Sequence, residues 1–246
     1  MSNYFSGQGK VFIKSKVSGG WKHVGDADKF VLEISQKFDD VHESMSGSRL
    51  VALHIPTETV PSIKMNLLEW SVENLVRAVY GSSEGAKTAG TVTAEAVSAY
   101  AGSFAFLKHL KVSSVVLKQG ATTLVEGTDY RIDLNGGAIE FLSGSTIVTG
   151  SSAVSLTADY SYAAYAGKVE GMVGAMQEYE MKFVGKNIAD SGAPVVVDIK
   201  RAALNLPKNL QFLDSKHGSL ELDGMMLYDA TVGAGESAFF SITKAS

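Results

Sequence analysis

The feature that most constrains the fold is an alternation of apolar and polar residues with a period of two. In residues 29–38, one face of the pattern carries Phe30, Leu32, Ile34 and Phe38, while the other face is mostly polar. Because successive side chains of a β-strand point to opposite sides, this alternation predicts a strand with one face in a core and the other in water. Similar patterns predict further strands at residues 10–17, 48–55, 172–187, 194–206, 219–230 and 237–245.

A single segment has helical periodicity instead. Between residues 65 and 81, apolar side chains recur at helical spacing, and Gly81 is expected to end the helix. The members of this stripe are Leu68, Val72, Leu75, Val76 and Val79. One helix against many strands predicts an α+β protein dominated by antiparallel sheet. Residues 1–9 are expected to form a disordered arm, and residues 81–103 a long loop with at most one strand.

Residues 112–165 have a different character, with short strands separated by glycine-containing turns. The dipeptide Asn135-Gly136 lies between two such strands and is typical of a tight hairpin turn. The segment contains two basic and five acidic residues, and so holds −3 of the net charge of −4. We therefore predict a small acidic all-β module inserted between residues 1–111 and 166–246 of the main domain.

Composition excludes several classes of function. The chain has 246 residues and no cysteine, which excludes disulfides, zinc fingers and thiol catalysis. Its net charge of −4 argues against a protein that binds nucleic acid through the phosphates. No apolar run approaches the roughly 18 residues that a membrane helix needs, and the first residues lack the features of a signal peptide. We therefore expect a soluble chain without membrane association.

A dense polar cluster, residues 37–50, is the main candidate for chemistry. It contains two carboxylates next to each other, Asp39 and Asp40, followed by His42, Glu43, Ser44 and Ser46. On a strand, however, Asp39 and Asp40 point to opposite faces and cannot act together. The histidines of the chain show no spacing typical of a zinc site. We expect a solvated strand and loop here, and no catalytic, cofactor or metal site in the chain.

The order of the motifs resembles that of phage tail tube proteins, also called major tail proteins. The similarity covers nearly the whole chain, although each motif is short. It is carried by GKVFIK (9–14), the alternating strand that leads into HESMSGSR (42–49), ENLVRAVYG (73–81), EGTDYRIDLNGGAIEF (126–141), KFVGKNIADSGAPVVVDIKRA (182–202) and GSLELDGMMLYD (218–229).

This resemblance implies a β-sandwich or barrel flanked by one helix. It further implies that six copies form a ring and that rings stack into a hollow tube through which DNA passes into the host. The implied partners are other copies of the chain, tape-measure and tail-terminator proteins, and DNA in transit without specific binding. The implied location is the virion tail, after assembly in the host cytoplasm. Such a protein has a structural role and is not an enzyme.

The resemblance also assigns roles to two sets of residues. The polar faces of two alternating strands are expected to line the lumen of the tube, with a net charge of −2 per copy. These lumen candidates are Glu33, Ser35, Lys37, Asp39, Glu178, Glu180 and Lys182. The residues that follow the first of these strands are expected to form a loop between rings. These inter-ring candidates are Asp40, His42, Glu43, Ser44, Ser46, Gly47 and Arg49.

A β-rich adhesive or carbohydrate-binding fibre module is the alternative function. A module of this kind would present an aromatic-rich binding surface and would not need to polymerise. An enzyme, as the third class, would need a convergent polar site, which the sequence does not indicate.

Overall fold

A computed structural model describes residues 4–17, 19–213 and 218–245 of the chain. The strands, in chain order, are β1 (Gly7–Ser15), β2 (Lys22–His23), β3 (Ala27–His42), β4 (Val51–Leu67), β5 (Ser82–Ser83), β6 (Gly90–Ala99), β7 (Phe104–Phe106), β8 (Val112–Gln119), β9 (Thr122–Thr123), β10 (Tyr130–Asp133), β11 (Ala138–Phe141), β12 (Val154–Tyr162), β13 (Val169–Glu170), β14 (Glu178–Asn187), β15 (Ala193–Leu204), β16 (Leu220–Met226) and β17 (Phe240–Lys244). The helix α1 spans Val72–Ala78, and a short 3-10 turn spans Ile188–Asp190. The protein is therefore mostly antiparallel β with one short helix, as the sequence predicts.

The chain divides into two compact units. Unit 1 comprises residues 1–83 and 169–246, and unit 2 comprises residues 84–168. Unit 1 contains an eight-stranded antiparallel sheet in the order β2-β1-β14-β15-β16-β4-β3, with β17 also paired to β15. A small second sheet pairs β5 with β13. Among the described residues, no helix is long and apolar enough to cross a membrane.

The large sheet of unit 1 is strongly curved around its core. The rings of Phe30 on β3 and Phe183 on β14 stack with their centroids 5.8 Å apart. Four strand spacings separate these two strands in the sheet order, which would place them about 19 Å apart in a flat sheet. The sheet therefore bends so that its two ends approach each other, but β2 and β3 at these ends are not paired to each other, and the sheet is not closed.

The core of unit 1 is made by one face of this sheet. On β4 the alternating residues Ile63, Met65 and Leu67 are buried, and they pack with apolar side chains of the neighbouring strands. The other buried members are Val11, Ile13, Val24, Ala78, Tyr179, Met181, Ile199, Ala202, Leu204, Leu220, Leu222 and Met226. Full burial of each large aliphatic side chain stabilises the fold by about 1.5–3 kcal/mol. This face fixes which side of every strand meets solvent.

The helix is shorter than the predicted residues 65–81. It begins after Ser71, whose side chain accepts a hydrogen bond from the backbone N–H of Asn74, and it ends at Ala78. Residues 65–67 belong to β4 instead, because pairing with β3 and β16 buries Met65 and Leu67 in the core. Tertiary pairing thus overrides the local helical pattern. The buried helix residues are Asn74 and Ala78, not the predicted apolar stripe.

The first residues of the described chain are ordered, in contrast to the predicted disordered arm at 1–9. The buried side chain of Asn187 accepts a hydrogen bond from the backbone N–H of Ser6 and donates one to the carbonyl of Tyr4. Strand β1 then begins at Gly7. Residues 1–3 of the predicted arm lie outside the described residues.

Unit 2 has its own core between a four-stranded sheet, β6-β12-β8-β9, and a three-stranded sheet, β10-β11-β7. Its largest fully buried side chains are Phe141, Ile139, Leu117 and Val148. The predicted hairpin at Asn135-Gly136 is confirmed, since β10 and β11 pair across this turn. The carboxylate of Asp133 accepts hydrogen bonds from the backbone N–H groups of both turn residues.

Unit 2 is larger than the predicted module at residues 112–165. Strand β6 pairs with β12, and β7 pairs with β11, so both strands before residue 112 belong to this unit. The sequence obscures β6 because the strand consists largely of small residues and Ala94 adopts a left-handed backbone with φ of 55°. Residues 84–168 contain six basic and seven acidic residues, so their net charge is −1 rather than the −3 of the predicted segment.

Candidate functional site

The most unusual feature of unit 1 is a long hairpin that extends beyond its core. Strands β3 and β4 pair in antiparallel register from end to end. Between Glu33 and Thr59, which bound a segment that we call the arm, every residue is exposed except the half-buried Glu43. The ten strand residues 33–42 extend by about 33 Å at roughly 3.3 Å per residue.

The arm exposes an unusual number of large apolar side chains. They are Ile34, Phe38, Val41, Met45, Leu50, Val51, Leu53 and Ile55. Of the predicted core face, Phe30 and Leu32 do pack against the core, whereas Ile34 and Phe38 lie beyond it. An isolated two-stranded hairpin is marginally stable in water, and a contiguous exposed apolar surface usually marks an interaction site. The arm is therefore our candidate functional site.

One face of the outer arm carries three apolar side chains beside one carboxylate. Val41 lies opposite Leu53, and Ile55 lies opposite Asp39 two positions before Val41. Because opposite residues of an antiparallel pair share a face, Val41, Leu53 and Ile55 lie on one surface together with Asp39, and we call this surface the tip face. All three side chains are more than two-fifths exposed.

The other face of the outer arm is occupied by contacts within the arm. The ring of Phe38 stacks on the ring of His54 with centroids 4.0 Å apart, and Nδ1 of His54 lies 2.5 Å from Oδ1 of Asp40. Asp39 and Asp40 point to opposite faces, as strand geometry predicts. The Asp40–His54 pair could not be predicted from the sequence, because only the strand register brings the two residues together.

The loop at the end of the arm is organised by one carboxylate. Glu43 accepts hydrogen bonds from the backbone N–H groups of Met45 and Ser46, at 2.8 and 2.9 Å, and from the hydroxyl of Ser46. These hydrogen bonds, that of the Ser46 hydroxyl first, lower the pKa of Glu43 to about 2. The polar cluster therefore shapes a turn, in which Gly47 and Arg49 have left-handed backbones with φ of 74° and 47°.

The structure brings all seven inter-ring candidates to one end of the arm. Asp40 and His42 lie in the last residues of β3, and the other five, from Glu43 to Arg49, lie in the loop between the two strands. The side chain of Met45, at the centre of this end, is 96% exposed.

The lumen candidates lie on a surface that points away from the core of unit 1. On β14, Glu178, Glu180 and Lys182 alternate with the buried or core-packed residues of the same strand. On β3, Glu33 is likewise offset by one position from Leu32, which packs against the core. Both sets therefore share the outer side of the sheet, which we call the outer face.

The charges of the outer face are paired with opposite charges on neighbouring strands. Five of the six charged lumen candidates have such partners. The pairs are Glu33–Lys64, Lys37–Glu58, Glu178–Arg201, Glu180–Lys14 and Lys182–Asp198. The remaining candidates are Ser35, whose hydroxyl donates to the carbonyl of Val60, and Asp39. The expected net charge of −2 counted only one member of each pair, because the partners are distant in sequence.

Hydrogen bonds within these pairs shift the pKa values of some of their members. Two hydrogen bonds from Arg201, at 2.6 and 2.7 Å, lower the pKa of Glu178. The hydrogen bond to Glu33 raises the pKa of Lys64. Exposed ion pairs of this kind contribute only about 0–1 kcal/mol each, so their main consequence is a charge-balanced surface.

A cleft of about 1340 Å³ opens between β3 and the strands β1, β14 and β15. The cleft is lined by consecutive residues of two strands, 7–11 of β1 and 27–32 of β3. Both strands therefore present their edges to the cleft. Its apolar lining includes Phe183 and Val197. Gly9 and Gly185 lie opposite each other at its wall, where a side chain on Gly9 would approach the backbone of Gly185 to 2.5 Å.

Among the residues that the structure describes, no three or more histidine, aspartate or glutamate side chains are grouped so that they could hold a metal ion.

A family model described as "Protein of unknown function UCP028589" matches residues 4–243, which is nearly the whole chain. No curated protein matches the chain.

Proposed function

The chain belongs to the UCP028589 family, and we propose that it is a structural virion protein that polymerises as stacked hexameric rings into a phage tail tube. The arm carries this proposal. Its apolar side chains have no second layer within the described residues, so other copies of the chain would have to cover them. The number of copies in a ring follows only from the sequence resemblance.

Free sheet edges support polymerisation. Within the described residues, strand β3 is paired only with β4, and residues 51–61 of β4 are paired only with β3. In the same part of the chain, strand β17 is paired only with β15. An edge with unpaired backbone groups is a template for strand addition, which proteins usually block unless a neighbour uses it. Edges on several sides of one unit suit a subunit that is completed by its neighbours.

The outer face supports a role as the wall of a DNA conduit. Tight DNA binding requires arrays of cations that neutralise phosphates. On this face, Lys14, Lys64, Lys182 and Arg201 already have carboxylate partners. A wall with balanced charges would neither retain nor strongly repel DNA in transit, and it would replace the acidic wall that the sequence predicted. The tape-measure and terminator proteins are further proposed partners.

Electron microscopy of the purified chain, with and without a tail complex as a seed, tests this function directly. We expect six-fold rings and hollow tubes whose number rises with protein concentration. A chain that remains monomeric at high concentration under both conditions would exclude the tail-tube function.

A specific observation favours the alternative of an adhesive or carbohydrate-binding module. Phe104 and Phe106 on β7 are 61% and 72% exposed, and they project from the same face of an edge strand of unit 2. Exposed aromatic rings are suitable platforms for ligand binding. Binding of the protein to glycans, lost when both residues are replaced by alanine, would support this alternative, especially if no tubes form.

A further inference from the structure

The cleft of unit 1 is a large concave surface among the described residues, and the tail-tube proposal gives it no role. We infer that the cleft of one copy receives the tip face of the arm of a second copy. This inference rests on the proposed self-assembly and identifies the surface that accepts the arm.

The walls of the cleft are suited to an added β-strand. Strand β1 is paired with β2 only at Phe12 and Ile13, so the opposite edge of residues 7–11 has no strand partner among the described residues. The carbonyl of Val11 is an exception, since it accepts a hydrogen bond from Val24. On the other side, the edge of β3 away from β4 likewise has no strand partner in the part of the chain that the structure describes. Main-chain hydrogen bonds to such edges are a common mode of recognition.

The tip face is a surface of the arm that a partner could cover. Val41, Leu53 and Ile55 project from it beside Asp39, while on the opposite face Phe38 stacks on His54. The cleft offers the half-buried apolar side chains of Phe183 and Val197, together with Phe30 and Leu32. Contact between these two surfaces would remove their remaining exposed apolar area from water.

The arm cannot fill the cleft of its own chain. The same strand, β3, borders the cleft with residues 27–32 and then continues into the arm. A β-strand is extended, so His42 lies about 33 Å beyond Leu32 along the strand. Since the arm leads away from the cleft that it borders, only a second copy can bring a tip face into it.

The cleft and the outer arm carry net charges of opposite sign. The cleft is lined by three lysines and two aspartates, namely Lys10, Lys29, Lys186, Asp26 and Asp28. Between residues 38 and 55 the arm carries three acids, Asp39, Asp40 and Glu43, and one arginine, Arg49. The net charges of +1 and −2 attract, which would orient the arm as it approaches.

An interface of this type determines how copies can assemble. The donor and acceptor surfaces differ, so the contact is heterologous and every copy can both give an arm and receive one. Heterologous contacts produce a closed ring when the rotation between copies closes, and an open helix otherwise. Repeated between copies, the arm-in-cleft contact therefore builds a ring if the rotation between copies closes.

Photo-crosslinking of the full chain tests the inference. Leu53 is replaced by the photoreactive residue benzoylphenylalanine, isotopically light and heavy chains are mixed and assembled, and the cross-linked peptides are identified by mass spectrometry. We expect light-to-heavy cross-links from position 53 to residues 7–11, 27–32 or 183–197. Assemblies that cross-link elsewhere, or only within one chain, would overturn the inference and leave the tube proposal standing. Protein that never assembles would overturn both.

A matched pair of substitutions gives an independent measurement. Leu53 on the tip face and Val125 in unit 2 are exposed to the same extent, at 58% and 57%. Leu53→Lys is expected to raise the concentration required for assembly at least about tenfold, which corresponds to roughly 1.4 kcal/mol per contact. Val125→Lys should leave that concentration unchanged. Circular dichroism shows that each variant is folded, and equal effects of the two variants would contradict the arm-in-cleft contact.

Discussion

The arm and unit 2 are both built from antiparallel strands joined by tight turns, yet only one of them is complete. In unit 2, two small sheets place Ile139, Phe141 and Leu117 between them, and these side chains are fully buried. The arm has a single layer, so Val41, Leu53 and Ile55 remain exposed. The comparison shows that alternation alone does not make a β-structure self-sufficient, because a second layer must cover the apolar face.

The point where unit 2 joins unit 1 strengthens this contrast. Strands β5 and β13, on either side of the insertion, pair with each other, with Ser83 opposite Val169. Opposite residues have Cα atoms about 4.5–5.5 Å apart. The two chain ends of unit 1 that flank the insertion therefore lie side by side. Unit 2 is therefore a self-contained addition, whereas the arm is an integral part of the sheet of unit 1.

The largest effect is expected from shortening the arm. Lys37 and Glu58 lie opposite each other, so residues 38–57 can be replaced by an Asn-Gly turn that joins them. The variant should fold, because the removed side chains do not belong to the core, and it should lose assembly completely. Light scattering after size-exclusion chromatography measures the assembly. A shortened protein that still forms rings would show that the arm is not the assembly element.

A smaller effect is expected from cavities in the two cores. Phe141→Ala should destabilise unit 2 by about 3–5 kcal/mol, and Ile63→Ala should destabilise unit 1 by about 2–5 kcal/mol, since both side chains are fully buried. If the units are independent, only the second variant should also weaken assembly. Urea titrations combined with electron microscopy measure both properties. Loss of tubes in folded Phe141→Ala protein would show that unit 2 takes part in assembly.

A more local effect is expected from the loop carboxylate. The pKa of Glu43 is lowered from 4.5 to about 2, so its contribution to loop stability is fully present above pH 4.5 and is lost as the pH falls towards 2. Glu43→Gln should reproduce part of this loss at neutral pH, and trypsin should then cleave after Arg49 several-fold faster. Glu58→Gln, which changes an exposed ion pair outside the loop, serves as the control. Unchanged cleavage in Glu43→Gln protein would contradict the role of the carboxylate.

The smallest effect on assembly is expected from removing unit 2 as a whole. A short Gly/Ser turn that joins Ser83 to Val169 in place of residues 84–168 should leave tube formation intact. The narrower deletion of residues 112–165 is not an equivalent test, because it would leave β6 and β7 without their partner strands. Electron microscopy of the deletion protein, compared with the full chain, decides whether unit 2 is dispensable.

Local features of the fold could be predicted from the sequence. The dipeptide Asn135-Gly136 predicts a hairpin turn from a few neighbouring residues. The alternation in residues 29–38 predicts a strand. The start of the helix could not be predicted, because residues 65–67 have a pattern that fits either a helix or a strand. These residues form a strand because they pair with β16, which lies more than 150 residues later in the chain.

Features of the candidate site that depend on register could not be predicted. The two halves of the alternating segment look alike, but Phe30 packs against the core and Phe38 lies in the arm. The partners of the outer-face charges, such as Arg201 for Glu178, come from adjacent strands. The pair of glycines at the cleft, Gly9 and Gly185, is equally invisible until β1 and β14 are aligned. Long-range pairing carries this information, whereas a local pattern does not.

Amide hydrogen exchange measured at increasing protein concentration tests the central claim most directly. In dilute monomer, residues 33–59 should exchange rapidly, because their backbone belongs to a single exposed hairpin. In assembled protein the same residues should become protected, while the strands of unit 2 should be protected equally at all concentrations. Exchange of residues 33–59 that is independent of concentration, in a sample that microscopy shows to be assembled, would contradict the account.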